Sequence, residues 1–135
     1  MKKLLACLAI ACALLSVGCS GRNAAFGVVD MKKVEAEAPA VKTIKDDLQK
    51  KAKELQEQMQ KETEGKSREE AEKIVQDKSA QMQVASSEAQ AKLKASLDTA
   101  LTEVSKEKNL SAVLIKAAVP SGGVDVTDDV IKKMK

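Results

Sequence analysis

The chain has 135 residues, of which 32% are charged, with 23 basic residues against 20 acidic ones. Histidine, tryptophan and tyrosine are absent and Phe26 is the sole aromatic residue. This composition excludes Ser-His and Cys-His catalytic pairs and the common zinc constellations. With one aromatic residue, it also offers no platform of aromatic side chains on which successive nucleic-acid bases would stack.

The chain opens with Met1-Lys2-Lys3, and residues 4–17 form an almost unbroken apolar run. That run is shorter than the ~20 residues a bilayer-crossing helix needs. A basic start, a short apolar stretch and small residues at its end are the marks of a secretory signal, here residues 1–18. Cys7 and Cys12 lie inside the signal, so Cys19 is the one cysteine left and no disulfide can form. The stretch "LSVGC" at residues 15–19 resembles a bacterial lipobox, although Ser16 stands where leucine is preferred. That likeness implies acylation of Cys19, with residues 19–25 as lipidated cysteine and tether. Ordinary cleavage before Cys19 is the alternative. Ser20, rather than an aspartate, follows the cysteine, which implies sorting to the inner leaflet of the outer membrane. Without Lys2 and Lys3, the 21 remaining basic residues nearly balance the 20 acidic ones. No nucleic-acid partner is expected.

Large apolar residues crowd the two ends of the remaining chain. Counting Val, Ile, Leu, Met and Phe, five fall in residues 26–34 and nine in residues 110–131, but only twelve in residues 42–108. The ends must meet to bury their apolar faces, so the middle goes out and comes back. The spacing predicts a strand at residues 26–29, where Phe26-Gly27-Val28-Val29 follows a polar leader.

Pro39 suits the first turn of a helix, where its missing N–H costs nothing. Val41, Ile44, Leu48, Ala52, Leu55 and Met59 then recur at steps of three and four, one narrow stripe on a helix. Gly65-Lys66-Ser67 interrupts the pattern, and Ser67 with Glu70 makes a capping box for a second helix. That helix carries Ala71, Ile74 or Val75, Met82, Ala85, Ala89, Leu93, Leu97, Leu101 and Val104 at helical spacing. Its seam is mostly alanine toward the tip and leucine toward the base. An antiparallel helical hairpin, a coiled-coil arm over residues 38–108 with its tip near 65–67, is therefore expected. Each omitted methylene forgoes about 0.8 kcal/mol, so the arm should be firm near residues 93–104 and loose near 60–85.

After the arm, residues 111–119 read as a strand, "PSGGV" as a hairpin turn, and residues 124–126 as extended chain. Thr127 or Asp128 is placed to cap a last short helix over residues 129–134. The body thus comprises residues 26–37 and 109–135. Its short strands expose more apolar edge than one copy can cover: Val28, Val29, Val113, Leu114, Ile115, Val124 and Val126 predict oligomerisation through the strands. The fold class expected is mainly α with a small β body. No catalytic, cofactor-binding or metal-ligating set emerges. The chain contains neither phosphate-cradling glycine motif, and its adjacent acid pairs point ~100° apart on a helix.

Residues 26–42, "FGVVDMKKVEAEAPAVK", and residues 101–135, ending "VDVTDDVIKKMK", resemble the first strand and closing segment of the Skp/OmpH family of periplasmic chaperones. Val28-Val29-Asp30 and "VDVTDDVIKK" carry the likeness most specifically. The resemblance implies a homotrimer with a β-barrel-like body from which three helical hairpins project around a cavity. It also implies an ATP-independent holdase that binds unfolded outer-membrane proteins and prevents their aggregation, without a cofactor. Family members are markedly basic, whereas this chain is nearly neutral, so client contact would fall to apolar positions: Met59, Met82 and Val84. Met59 and Met82 also suit ordinary seam packing; Val84 lies off the stripe. The alternative is a coiled-coil envelope lipoprotein that acts as a spacer or adaptor.

Overall fold

The computed structural model describes residues 25–135; the signal-peptide and Cys19 readings lie outside the described residues. The chain is mainly helical, with three short strands and a long helical hairpin. Strand β1 (Phe26–Val29) is central, flanked by β2 (Ala112–Ile115) on one side and β3 (Val124–Asp125) on the other. Both neighbours run parallel to β1, with Val28 opposite Leu114 and Gly27 opposite Val124.

This topology corrects the reading of "PSGGV" as a hairpin turn. Because β2 and β3 lie on opposite sides of β1, the segment between them carries the chain across the sheet. The strand expected over residues 111–119 is also shorter. The chain leaves β2 at Ile115 and winds into a 3₁₀ turn (Lys116–Ala118), where the Val119 amide donates to the Lys116 carbonyl at 3.2 Å.

A helix unforeseen in the sequence, α1 (Met31–Glu37), follows β1 directly. Asp30 caps it: the carboxylate accepts from the amides of Lys32 at 3.0 Å and Lys33 at 3.3 Å. Pro39 then holds Ala38 in extended backbone, with φ −63° and ψ 129°, because its ring crowds a helical predecessor. The chain bends there and restarts as α2 (Pro39–Thr63), with the proline in its first turn.

Residues 64–67 make the turn at the tip, where Gly65 sits at φ 73°, a conformation glycine adopts without strain. Helix α3 (Arg68–Glu107) begins with the expected capping box. Ser67 Oγ accepts from the Glu70 amide, and the Glu70 carboxylate accepts from the Ser67 amide at 3.0 Å. At 40 residues α3 is ~60 Å long, well beyond the 25-residue α2 packed antiparallel to it. Its last turns therefore outrun α2 and enter the body. Asn109, at φ 51°, turns the chain back toward β2.

The last helix, α4 (Thr127–Lys133), starts earlier than the sequence suggested, and no side chain caps it. The Thr127 hydroxyl is occupied elsewhere: it donates to Asp125 at 2.6 Å and accepts from the Asp30 amide at 3.0 Å. The core forms where α4, α1 and the sheet cover the base of α3. Val29, Val34, Val41, Ala100, Val104, Val126, Val130 and Met134 are buried there, with Leu93, Leu97, Leu101 and Leu110 packed against them.

Candidate functional site

The two outer edges of the sheet carry apolar surface. Leu114 is 44% exposed, Ile115 53% and Val124 45%, although all three belong to strands. Of the seven residues expected to join copies, only these three face solvent. Val28, Val29 and Val126 are buried within the chain, and Val113 is partly covered. The glycine loop accounts for the burial of Val28. A Cβ on Gly123 would come within 2.8 Å of Val28 Cγ1 and 2.7 Å of the Phe26 ring, so only glycine lets the loop lie on this face. The opposite face of β1 meets Leu110, Val113 and Val126 around Gly27.

Shallow grooves run along the arm from its base outward. Near the base a groove of about 250 Å³ runs between Met31, Val34, Val41, Leu93, Leu97 and Met134. Midway, about 180 Å³ opens between Ile44, Leu48, Lys51, Ala85 and Ala89. Farther out, Met59 and Met82 line a groove of about 200 Å³ with Ala52, Leu55 and Lys78. Both methionines are half-buried in the seam, whereas Val84 is 58% exposed on the outer side of α3. Ile74 lies in the seam and Val75 outside it. Lys78 bridges the helices: its ammonium donates to Gln58 at 3.0 Å and Glu62 at 2.8 Å. The Lys78 side chain is only 11% exposed, so its aliphatic stem covers the groove floor while the charge reaches a carboxylate.

A third feature, absent from the sequence reading, is a polar cleft of about 410 Å³ at the carboxyl ends of the strands. Asp125 is its hub. Lys116 Nζ donates to the carboxylate at 2.8 Å, and the Thr127 amide and hydroxyl both donate to its other oxygen. The Lys116 ammonium, followed by the two Thr127 bonds, holds the Asp125 carboxyl far below the usual carboxylate range. The same pairing raises Lys116, and Asp128 raises Lys33 through a 2.7 Å bond. Lys116 with Asp125 and Lys33 with Asp128 form ion pairs across the cleft, which fasten the ends of the strands to the helices that follow them. Asp-Val-Thr at residues 125–127, an Asx turn, was the signal for this cleft.

Among the described residues no helix is long and apolar enough to cross a membrane. No group of three or more acidic or cysteine side chains there is arranged to hold a metal ion. No protein-family model matches the chain, and no curated protein is significantly similar to it. The likeness to the Skp/OmpH family therefore rests on the motifs quoted from its two ends.

Proposed function

We propose that the chain is a lipid-anchored, ATP-independent holdase of a Gram-negative periplasm that binds unfolded outer-membrane proteins and keeps them from aggregating. In this reading three copies join their bodies, the arms surround a cavity, and acylated Cys19 fixes the assembly to the outer membrane.

The observation that carries it is the exposure of Leu114 and Ile115 on one edge of the sheet and Val124 on the other. An exposed apolar strand edge recruits another strand. The two edges belong to different strands, so contact between copies would be head to tail. Such contacts close into a ring when the rotation allows. Three copies of a three-stranded sheet joined this way would give the barrel-like body that the resemblance implies. The arms add methionine-lined grooves, and the pliant thioether of methionine suits clients of varied shape.

The test is aggregation of several unrelated denatured porins with and without the protein. One trimer per client should keep each porin soluble. Unchanged aggregation at excess protein would refute the holdase, and co-purification with peptidoglycan or one fixed folded partner would favour a spacer. The mass of a mature form lacking Cys19 checks the assembly, and a monomer at micromolar concentration would refute it. Cys19→Ala should move the protein from the membrane fraction to the soluble one.

A further inference from the structure

The two ends of the sheet differ in charge. At the carboxyl ends of the strands, Asp30, Lys33, Lys116, Asp125, Asp128 and Lys132 line the polar cleft. At the amino ends, residues 25–27, 109–112 and 120–123 contain no ionisable side chain. Ala25, Asn109, Ser111, Ser121, Gly122 and Gly123 are exposed there.

This uncharged end is also where the described chain begins. The Ala25 carbonyl accepts from the Ser111 amide at 2.9 Å and from the Ser111 hydroxyl at 3.1 Å. Ser111 stands four residues past Glu107, the last residue of α3. Ala25 is thereby fixed at the end of α3 opposite the tip, the full ~60 Å of the helix away. Residues 20–25 number six, so they can separate Cys19 from the body by at most about 20 Å.

We infer that the uncharged amino end of the sheet is a membrane-apposed surface, which sits against a lipid bilayer while the hairpin stands away from it. The inference rests on the proposed attachment of Cys19 to lipid and adds a direction to it. Two physical terms select this orientation. Bringing a charged side chain toward the low-dielectric interior of a bilayer costs hydration energy, and the three loops at this end carry none; the nearest charges, Glu107 and Lys108 at the end of α3, are paired with Lys133 and Asp129 of α4. The arm carries ten basic and ten acidic residues between positions 42 and 78, which keeps it in water. In a trimer the three tethers leave from the same end, so the space between the arms opens away from the anchoring membrane.

The experiment couples the mature chain to preformed phosphatidylcholine vesicles through Cys19, its one thiol, using a maleimide-bearing lipid. A donor dye is placed through an azide-bearing residue at position 64 in one preparation and 121 in another. Headgroup-labelled lipid serves as the acceptor. The dye at 121 should lose most of its emission to the acceptor and become shielded from iodide on coupling, while the dye at 64 changes little in either measurement. Equal transfer from both positions, or greater transfer from 64, would overturn the inference by laying the arm along the lipid. Because the coupling is chemical, this result stands apart from whether cells acylate Cys19. The mass of the membrane-extracted protein answers that, and an unmodified Cys19 there would refute the anchor alone.

Discussion

Where α3 enters the body, Leu93, Leu97, Ala100, Leu101 and Val104 are covered by α1, α2, α4 and the sheet, and Ala100 and Val104 are fully buried. In the outer half of the same helix Ala71, Ile74, Met82 and Ala85 face only α2 and stay half-exposed. One helix thus passes from a three-dimensional core to a two-helix ribbon without a break. The difference shows that helix continuity and packing depth are separate properties. Ala, Lys, Glu and Gln sustain the helix by propensity, whereas only the base has enough partners to exclude water. Hydrogen exchange, which reports local opening, should therefore grade steeply along α3.

The contrast is broken most forcefully at Met134. This side chain is 1% exposed and closes the core against Val34, Val41 and Leu97. Met134→Ala removes a fully buried side chain from that core, and should cost about 2–5 kcal/mol in denaturant unfolding. Met59→Ala, in the open outer groove, removes the same atoms from a site already half in water. It should cost less than half as much. Equal losses would mean the arm is packed as tightly as the body.

The arm was legible in the sequence because its signals are local. The stripe from Val41 to Met59, the Ser67–Glu70 capping box and the switch from alanine to leucine each depend on residues a few positions apart. The body was read less well because its decisive contacts join distant segments. Nothing near Pro120 tells whether β3 returns beside β2 or crosses to the far side of β1; that depends on Gly123 fitting over Phe26 and Val28. Local spacing offers Thr127 or Asp128 as the cap of the last helix, but Asp30, 97 residues earlier than Thr127, supplies the amide that engages the Thr127 hydroxyl. Helix α1 is a different case. Asp30 before Met31 and Val34 was a readable N-cap signal, hidden by the strand-like run that precedes it. The seven candidate assembly residues share one limit: composition marks them apolar, but only the folded packing separates the exposed Leu114, Ile115 and Val124 from the buried Val28, Val29 and Val126 and the partly covered Val113.

A second, smaller test asks whether the body is fastened by charge as well as by packing. Asp125 is held ionised in the folded chain by Lys116 and Thr127, so its folded pKa lies below the unfolded value of about 4. A depressed carboxylate contributes stability above the unfolded pKa and loses it as pH falls through that value toward the folded one. Asp125→Asn should destabilise the protein at pH 7 by ~1 kcal/mol, less than a buried charged hydrogen bond contributes because the carboxylate is half in solvent. The gap in melting temperature from the unsubstituted protein should narrow below about pH 4. A gap that stays constant to pH 3 would show that the carboxylate's charge contributes nothing.

The smallest effect is expected at the tip, where it is also the most discriminating. Ser67→Ala removes the hydroxyl that receives the Glu70 amide and leaves the Glu70 carboxylate to bond the Ser67 backbone alone. Losing an N-cap oxygen costs ~1 kcal/mol of helix stability. If the body and the outer arm unfolded as one unit, that loss would appear in the melting temperature. The outer seam is thin, however, and its cross-ties are few: Lys78 with Gln58 and Glu62 is the one polar link between α2 and α3 among the described residues. A ribbon joined this loosely can fray from its end while Ala100, Val104 and Val130 stay buried. Ser67→Ala should therefore speed amide exchange several-fold in residues 60–80 and leave both the melting temperature and the protection of residues 93–104 unchanged. A matching fall in global stability would show that the tip and the base form one cooperative unit, and that the difference in packing between them has no energetic boundary.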